Sequence, residues 1–313
     1  MFTFLRIHAC LLLAALCASA QTPQPSQSTS GASKDAVGVE MANVLFRYSP
    51  ALSVLIVRLR GSLIPTPGHD VPNFNDPASF VVGTDAAEMR MSTSELEALM
   101  NSWLLRSPKA QLKNIRIAAD GNRLLIHGTM KKGVRVPFAA TAEPGITADN
   151  RIRFTVEQVK TANIPLKGLM DSLGLSLADL LSQNGLHGIS VDKDSLLIDP
   201  QTAFPSPQIR AKITAVRISG QSMVLSFGQG APTLPRRPWK NYMALRGGNI
   251  EYGREQMYDS DLVMIDSTPA DPFEFYLHDY WCQIVAGSIK ATPDKAFRIT
   301  IPDYSKIPRN SCR

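Results

Sequence analysis

Apolar and polar positions alternate with a two-residue period along most of this chain, and the period lengthens to three or four residues in two places. Alternation marks a half-buried strand, and recurrence at i, i+3, i+4 and i+7 marks an amphipathic helix. Residues 52–63, LSVLIVRLRGSL, set Val54, Ile56 and Arg58 against Leu55, Val57 and Leu59, which predicts a strand buried on both faces at its start. Runs at 115–118, 124–130, 134–141 and 152–160 are joined by Asp120-Gly121-Asn122, by Lys131-Lys132-Gly133, and by Pro144-Gly145 with Asp149-Asn150. In them Leu124, Ile126 and Met130 oppose Leu125, His127 and Thr129. Val134, Val136, Phe138 and Ala140 share a face, and Ile152, Phe154 and Val156 oppose Arg153, Thr155 and Glu157. The spacing predicts an antiparallel meander with one apolar face.

The first helical stretch opens at Ser92, in a Ser-x-x-Glu capping box closed by Glu95. Leu96, Leu99, Met100, Trp103 and Leu104 then form an apolar stripe that Pro108 ends. The second, residues 163–181, reads NIPLKGLMDSLGLSLADLL and carries Leu166, Leu169, Met170 and Leu173 on one face. Pro165 suits its first turn, Gly174 interrupts the stripe, and Ser176 with Asp179 caps a second turn that brings in Leu177. Such a face builds either an ordinary core or an apolar groove. Residues 189–198 predict a hairpin around Lys193-Asp194, and 208–218 and 223–227 two more strands. Strand, helix, four strands, helix and further strands make an α+β fold with a mainly antiparallel sheet.

Residues 231–240, APTLPRRPWK, are a Pro- and Arg-rich linker. Beyond it 242–252, 261–266, 273–289 and 297–301 predict short β elements or one helix among them, with Gly247-Gly248 as a turn. This β-rich piece, 231–313, is either a subdomain or an extension of the sheet in residues 36–230.

The N-terminus changes the setting. Arg6, the apolar run 9–16 and the small-x-small site Ala18-Ser19-Ala20 predict an export signal, residues 1–20, cleaved before Gln21. The alternative is a retained anchor. Leu16 before Cys17 fits a lipobox poorly. Residues 21–35, rich in Ser, Gln, Pro and Thr, predict a flexible tether. Periplasmic or extracellular residence follows, and there Cys282 and Cys312 either pair or remain as two thiols. A bridge would close a loop of about 30 residues, a stabilisation of roughly 3 kcal/mol in the chain-entropy view.

Charge alters the picture little. Against 33 Lys and Arg stand 27 Asp and Glu, a formal +6 that becomes +5 without Arg6. A mild excess spread along the chain does not point to nucleic acid and is compatible with transient contact at an anionic membrane. With 44% hydrophobic residues the composition is that of a globular protein.

The meander at 115–160 followed by the helix at 165–181, with the helix at 92–106 available as a second, resembles the tubular lipid-binding superfamily that includes the bactericidal permeability-increasing protein. The likeness covers about two thirds of the chain after the signal and none of 231–313, and it rests on pattern rather than on a signature motif. It implies a curved antiparallel sheet wrapped around amphipathic helices and an apolar groove that binds or transfers lipid without catalysis. From periodicity, the candidate lining residues are Leu166, Leu169, Met170, Leu173 and Leu177, with Leu99, Met100 and Trp103 from the first helix and Phe138 and Phe154 from the sheet. Met suits unselective contact with acyl chains.

No other chemistry competes. His69, His127, His187 and His278 show no metal-ligand spacing, and no GxSxG, Walker or Rossmann motif is present. His69-Asp70 is the best pair for general base work but lacks a partnered nucleophile. Asp259, Asp261, Asp266 and Asp271 read as solvated turn carboxylates rather than a Ca²⁺ loop. No metal or cofactor is expected. Arg236, Arg237, Trp239 and Lys240 have the composition of a membrane-docking edge, or of a linker whose Trp packs on the body. The expected function is lipid or hydrophobe binding. An envelope module binding protein or polysaccharide through its sheet surface is the alternative, and a hydrolase the third reading.

Overall fold

The computed structural model describes residues 36–105, 111–132, 134–161, 164–165 and 188–308. Three long strands come first: β1 (Val37–Ser49), β2 (Leu52–Pro65) and β3 (Phe80–Ser92). Buried positions alternate along each and then slip by one. In β1 they are Val37, Val39 and Met41, then Val44, Phe46 and Tyr48; in β2 Leu52, Val54 and Ile56, then Leu59 and Leu63. In β3, Phe80 and Val82 give way to Ala87, Met89 and Met91. Asn43 makes the slip in β1 by adopting a left-handed φ of 51°, a region Asn tolerates better than most residues. In β2 and β3 the slip coincides with register shifts between Ile56 and Arg58 and between Arg60 and Gly61. Both halves of each strand feed one core, so the irregularities keep a single face inward. The two-sided burial expected at the start of 52–63 is therefore corrected: Leu55 and Val57 are only half-buried. Gly61 is obligatory here, because a Cβ would lie 2.1 Å from the Gly83 carbonyl oxygen.

Next come α1 (Thr93–Ala98), which runs on as a π-helical turn over Leu99–Leu104, and a second sheet. Its strands are β4 (Leu112–Asp120), β5 (Arg123–Lys132), β6 (Val134–Ile146), β7 (Ile152–Thr161), β8 (Ile164–Pro165), β9 (Ile189–Asp192) and β10 (Ser195–Ile198). They are ordered β4-β5-β6-β7-β10-β9, with β8 on β7. The predicted meander and the hairpin at 189–198 are both present, all antiparallel. Ile164 and Pro165 pair with Thr161 and Lys160 as a strand, so Pro165 does not open a helix. Residue 163 and the remainder of that predicted helix, 166–181, lie outside the described residues.

The chain then returns to the first sheet through α2 (Pro200–Ala203), β11 (Gln208–Arg210), β12 (Ile213–Ser219) and β13 (Ser222–Gly228). After 231–240 follow β14 (Tyr242–Arg246), the hairpin β15 (Ile250–Tyr252) and β16 (Glu255–Met257), β17 (Asp261–Asp266) and β18 (Phe273–Tyr276). α3 (Tyr280–Val285), β19 (Ser288–Ala291) and β20 (Phe297–Ile301) complete it. The first sheet is ordered β12-β13-β3-β2-β1-β14-β17-β20-β19, with β11 parallel to β3 and β18 parallel to β1. Residues beyond 231 thus extend the sheet that β1 begins.

The α+β expectation is overturned. The protein is mostly β and sandwich-like, rather than a sheet wrapped around amphipathic helices. The stripe after Ser92 yields six α-helical residues and one π turn, too short an element for a sheet to wrap. Two facing sheets bury their apolar faces in one continuous cluster instead.

Candidate functional site

The site begins with the anchoring of α1. Ser92 Oγ accepts from the Glu95 amide at 3.2 Å, and the Ser92 amide donates to Glu95 Oε2 at 2.6 Å, so the expected capping box is formed. Further along, Glu97 Oε1 accepts from the Ile117 amide at 2.8 Å. Asn101 bonds both backbone groups of Ile115, donating to its oxygen at 2.8 Å and accepting from its nitrogen at 2.9 Å. Ile115 and Ile117 belong to β4, the edge strand of the second sheet. An edge strand presents unpaired N–H and C=O groups, and two helical side chains satisfy some of them here. Nothing in the spacing of Glu97 and Asn101 signals this role.

Fastened in this way, the helix points Leu96, Leu99 and Met100 into a cavity between the sheets, of about 70 Å³. Ile115, Ile117, Leu124, Ile152, Phe154 and Ile198 of the second sheet face them, and Met223 of the first sheet and Phe204 after α2 close the far side. All fifteen lining residues are Ala, Val, Leu, Ile, Met or Phe. Met100, Ile126, Val156, Leu196 and Phe204 are half-buried and mark where the lining approaches the surface.

Phe204 also lines a second cavity, of about 20 Å³, with Tyr48, Val54, Met89 and Phe227. Its ring lies 6.3 Å from that of Tyr48, which in turn meets Phe46 at 5.0 Å edge-to-face. Phe46 lines a third cavity, again about 20 Å³, beside Met41, Phe74 and Leu277. Three apolar spaces are thus strung along the core, separated by aromatic rings. Tyr48 is the one lining residue of the second with a hydroxyl, and burial pushes its phenol well up from the ordinary value.

Of the candidates read from periodicity, Leu99, Met100 and Phe154 line the first cavity. Phe138 is buried over Gly128 beside Ile115 and is not part of the lining. Trp103 lies in the π turn, its side chain outside the description, and Leu166, Leu169, Met170, Leu173 and Leu177 fall outside the described residues. Ile115, Ile117, Leu124, Ile152 and Met223 also line it, and nothing in their strand alternation distinguishes them from ordinary core.

In 231–240, Arg237 pairs with Glu40 at 3.0 Å, and the Trp239 ring packs on Tyr242 at 6.3 Å over the outer face of the first sheet; Arg236 and Lys240 are exposed. Cys282 is buried in α3, whereas Cys312 lies outside the described residues. His69 sits exposed at 3.9 Å from Asp76, and His127 is exposed on β5.

The acidic cluster is corrected in part. Asp266 is 5% exposed and accepts from Asn241 at 2.8 Å and from the Thr268 amide at 2.7 Å, so it is a buried structural acceptor. Among the described residues no three His, Cys, Asp or Glu side chains are grouped to hold a metal ion, and no helix is long and apolar enough to cross a membrane.

Comparison with protein-family models, with curated proteins and with solved structures gave no match.

Proposed function

We propose that this protein binds a lipid or another elongated apolar ligand between its two sheets, without catalysis. The supporting observation is the first cavity, whose lining is wholly apolar and which leads past Phe204 toward two smaller apolar spaces. A pocket for a small polar substrate would carry several convergent polar groups. At about 70 Å³ the first space is smaller than the ~150 Å³ apolar cavity that takes up benzene. A long ligand therefore enters by displacing side chains. Met100, unbranched and half-buried at the opening, is suited to that movement. Export through the N-terminal signal, with Cys282 and Cys312 pairing in an oxidising compartment, belongs to this reading.

The test is native mass spectrometry of protein purified without detergent, followed by titration with a fluorescent fatty acid. A stoichiometric adduct of acyl-chain mass, or saturable uptake that Val156→Trp abolishes in a folded variant, is the expected result. A clean mass with no uptake would make the cavity ordinary core.

A further inference from the structure

The outer face of the first sheet, opposite the core, carries a band of arginines. Its strands supply Arg58 and Arg60 from β2, Arg90 from β3, Arg217 from β12, Arg246 from β14 and Arg298 from β20. Each is adjacent in sequence to a residue of the inner core cluster, such as Leu59, Met89, Leu245 or Ile299, or to one packed against it, as with Arg217. Alternation therefore sends the arginines outward. Between β12 and β20 lie seven strand spacings of about 4.8 Å, so the arginines span roughly 34 Å of sheet, with the Pro-rich segment packed over β1, β14 and β17 between Arg60 and Arg298.

The carboxylates on this face leave its centre uncompensated. Glu88 stands directly across from Arg58, yet its oxygens go to Arg90 at 3.0 Å and Arg217 at 3.4 Å. Glu40 stands across from Arg60, yet it pairs with Arg237 of the Pro-rich segment at 3.0 Å. Asp261 is shared between Arg298 at 3.0 Å and Arg246 at 4.0 Å. Asp85, exposed at the β2/β3 irregularity, makes no ion pair among the described residues. Arg58 and Arg60, both exposed and rooted about 7 Å apart along β2, consequently make no ion pair with a carboxylate among the described residues. Neighbouring guanidinium groups on a rigid strand match carboxylate, sulfate or phosphate groups bidentately.

We propose that this face binds a linear acidic polysaccharide, with Arg58 and Arg60 as the central contacts and Arg90, Arg217 and Arg246 extending the track. A row of arginines on successive strands fits an extended polyanion. Nucleic acid fits less well, because the rings on this face among the described residues are engaged with each other: half-buried Trp239 packs on Tyr242, which is 2% exposed. A bilayer fits less well, because the most exposed large apolar side chains, Tyr258, Trp281 and Val285, come from other elements, Ile289 on edge strand β19 pairs with inward-facing Ile299, and beside the central arginines stands only Ile64, 36% exposed, among the described residues. This surface is separate from the cavity, and the inference does not rest on the ligand proposed for it.

The test is binding of a heparin dodecasaccharide, used as a defined sulfated chain, by calorimetry at about 0.15 M salt, the ionic strength at which distant surface charges are screened. Three variants are compared after thermal melts establish folding: R58S/R60S, R58K/R60K, and K131S/R135S, which removes the same charge from the second sheet. The proposal expects wild-type binding, a loss of at least tenfold in R58S/R60S, a smaller loss in R58K/R60K, and less than a twofold change in K131S/R135S. Absence of wild-type binding, or equal losses in R58S/R60S and K131S/R135S, overturns it. Tighter binding to duplex DNA or to vesicles of anionic phospholipid than to the oligosaccharide overturns it as well.

Discussion

At the scale of single residues, buried charge in this protein is tied to backbone groups. Glu274, 6% exposed on β18, bonds Arg47 and accepts from the Ser305 amide at 2.9 Å. Burial pushes its carboxyl up, but the Ser305 hydrogen bonds and the Arg47 guanidinium outweigh burial and hold it below the ordinary glutamate range. A carboxyl depressed on folding stabilises above its unfolded pKa, about 4.3, and that stabilisation is lost as pH falls through the lower folded value. Glu274→Gln should accordingly cost about 2 kcal/mol at pH 7, the scale of a hydrogen bond to a charged group. The gap to wild type should close below about pH 4. Urea unfolding at neutral and acid pH measures it; a gap unchanged with pH would mean the charge contributes nothing. Asn43 and Gly61 illustrate the other residue-scale device, backbone arrangements that side-chain chemistry permits: Asn43 preserves the inward face of β1 through its left-handed φ, and Gly61 admits the close approach of the Gly83 carbonyl.

At the scale of elements, α1 with its π turn is held to β4 by side chains rather than by packing alone. Asn101→Ala removes the partners of both Ile115 backbone groups, a loss of about 2 kcal/mol at roughly 1 kcal/mol per bond. It should also raise hydrogen exchange at the Ile115 amide and weaken uptake of apolar ligand, because Leu99 and Met100 lose their support. Unchanged exchange would show that packing suffices. Legibility at this scale followed the continuity of pattern. In the second sheet β5 and β7 alternate between turns and are readable to within two residues, whereas a slip at Asn114 hides the start of β4, Pro144-Gly145 pairs within β6 instead of turning, and β8 carries the Pro165 that suggests a helix. β1 and β3 were not readable, because the slips at Asn43 and at Ala86-Ala87 break each into two half-length runs of opposite phase. The capping box at Ser92 was readable because it needs four consecutive residues. The role of Asn101 was not, because it depends on an edge strand that pairing between distant residues creates. Leu99, Met100 and Phe154 carried a periodic signal, whereas Met223 reaches the same cavity from a strand whose sequence resembles any other core strand.

At the scale of the whole molecule, the question is whether three small cavities act as one path. The first and second are separated by Phe204, a half-buried ring at the end of a four-residue helix. Ring rotation there needs little backbone change, and the joined space would run from the helix-lined cavity to the Tyr48 hydroxyl. Phe204→Ala makes that junction permanent. Truncating a fully buried Phe costs about 3–5 kcal/mol, and partial exposure at this position brings the expected loss to about 2 kcal/mol. If the cavities act as a path, the variant binds a sixteen-carbon fatty acid more tightly than wild type while its affinity for an eight-carbon acid changes little. Ligand binding should then restore much of the lost stability, since anything that binds only the folded state raises its free energy of unfolding. If instead the cavities are packing defects, Phe204→Ala loses stability without gaining affinity for either chain. Titrating both acids into wild type and variant, with melts at each concentration, separates a ligand path from loose core, because only a path makes the response depend on chain length.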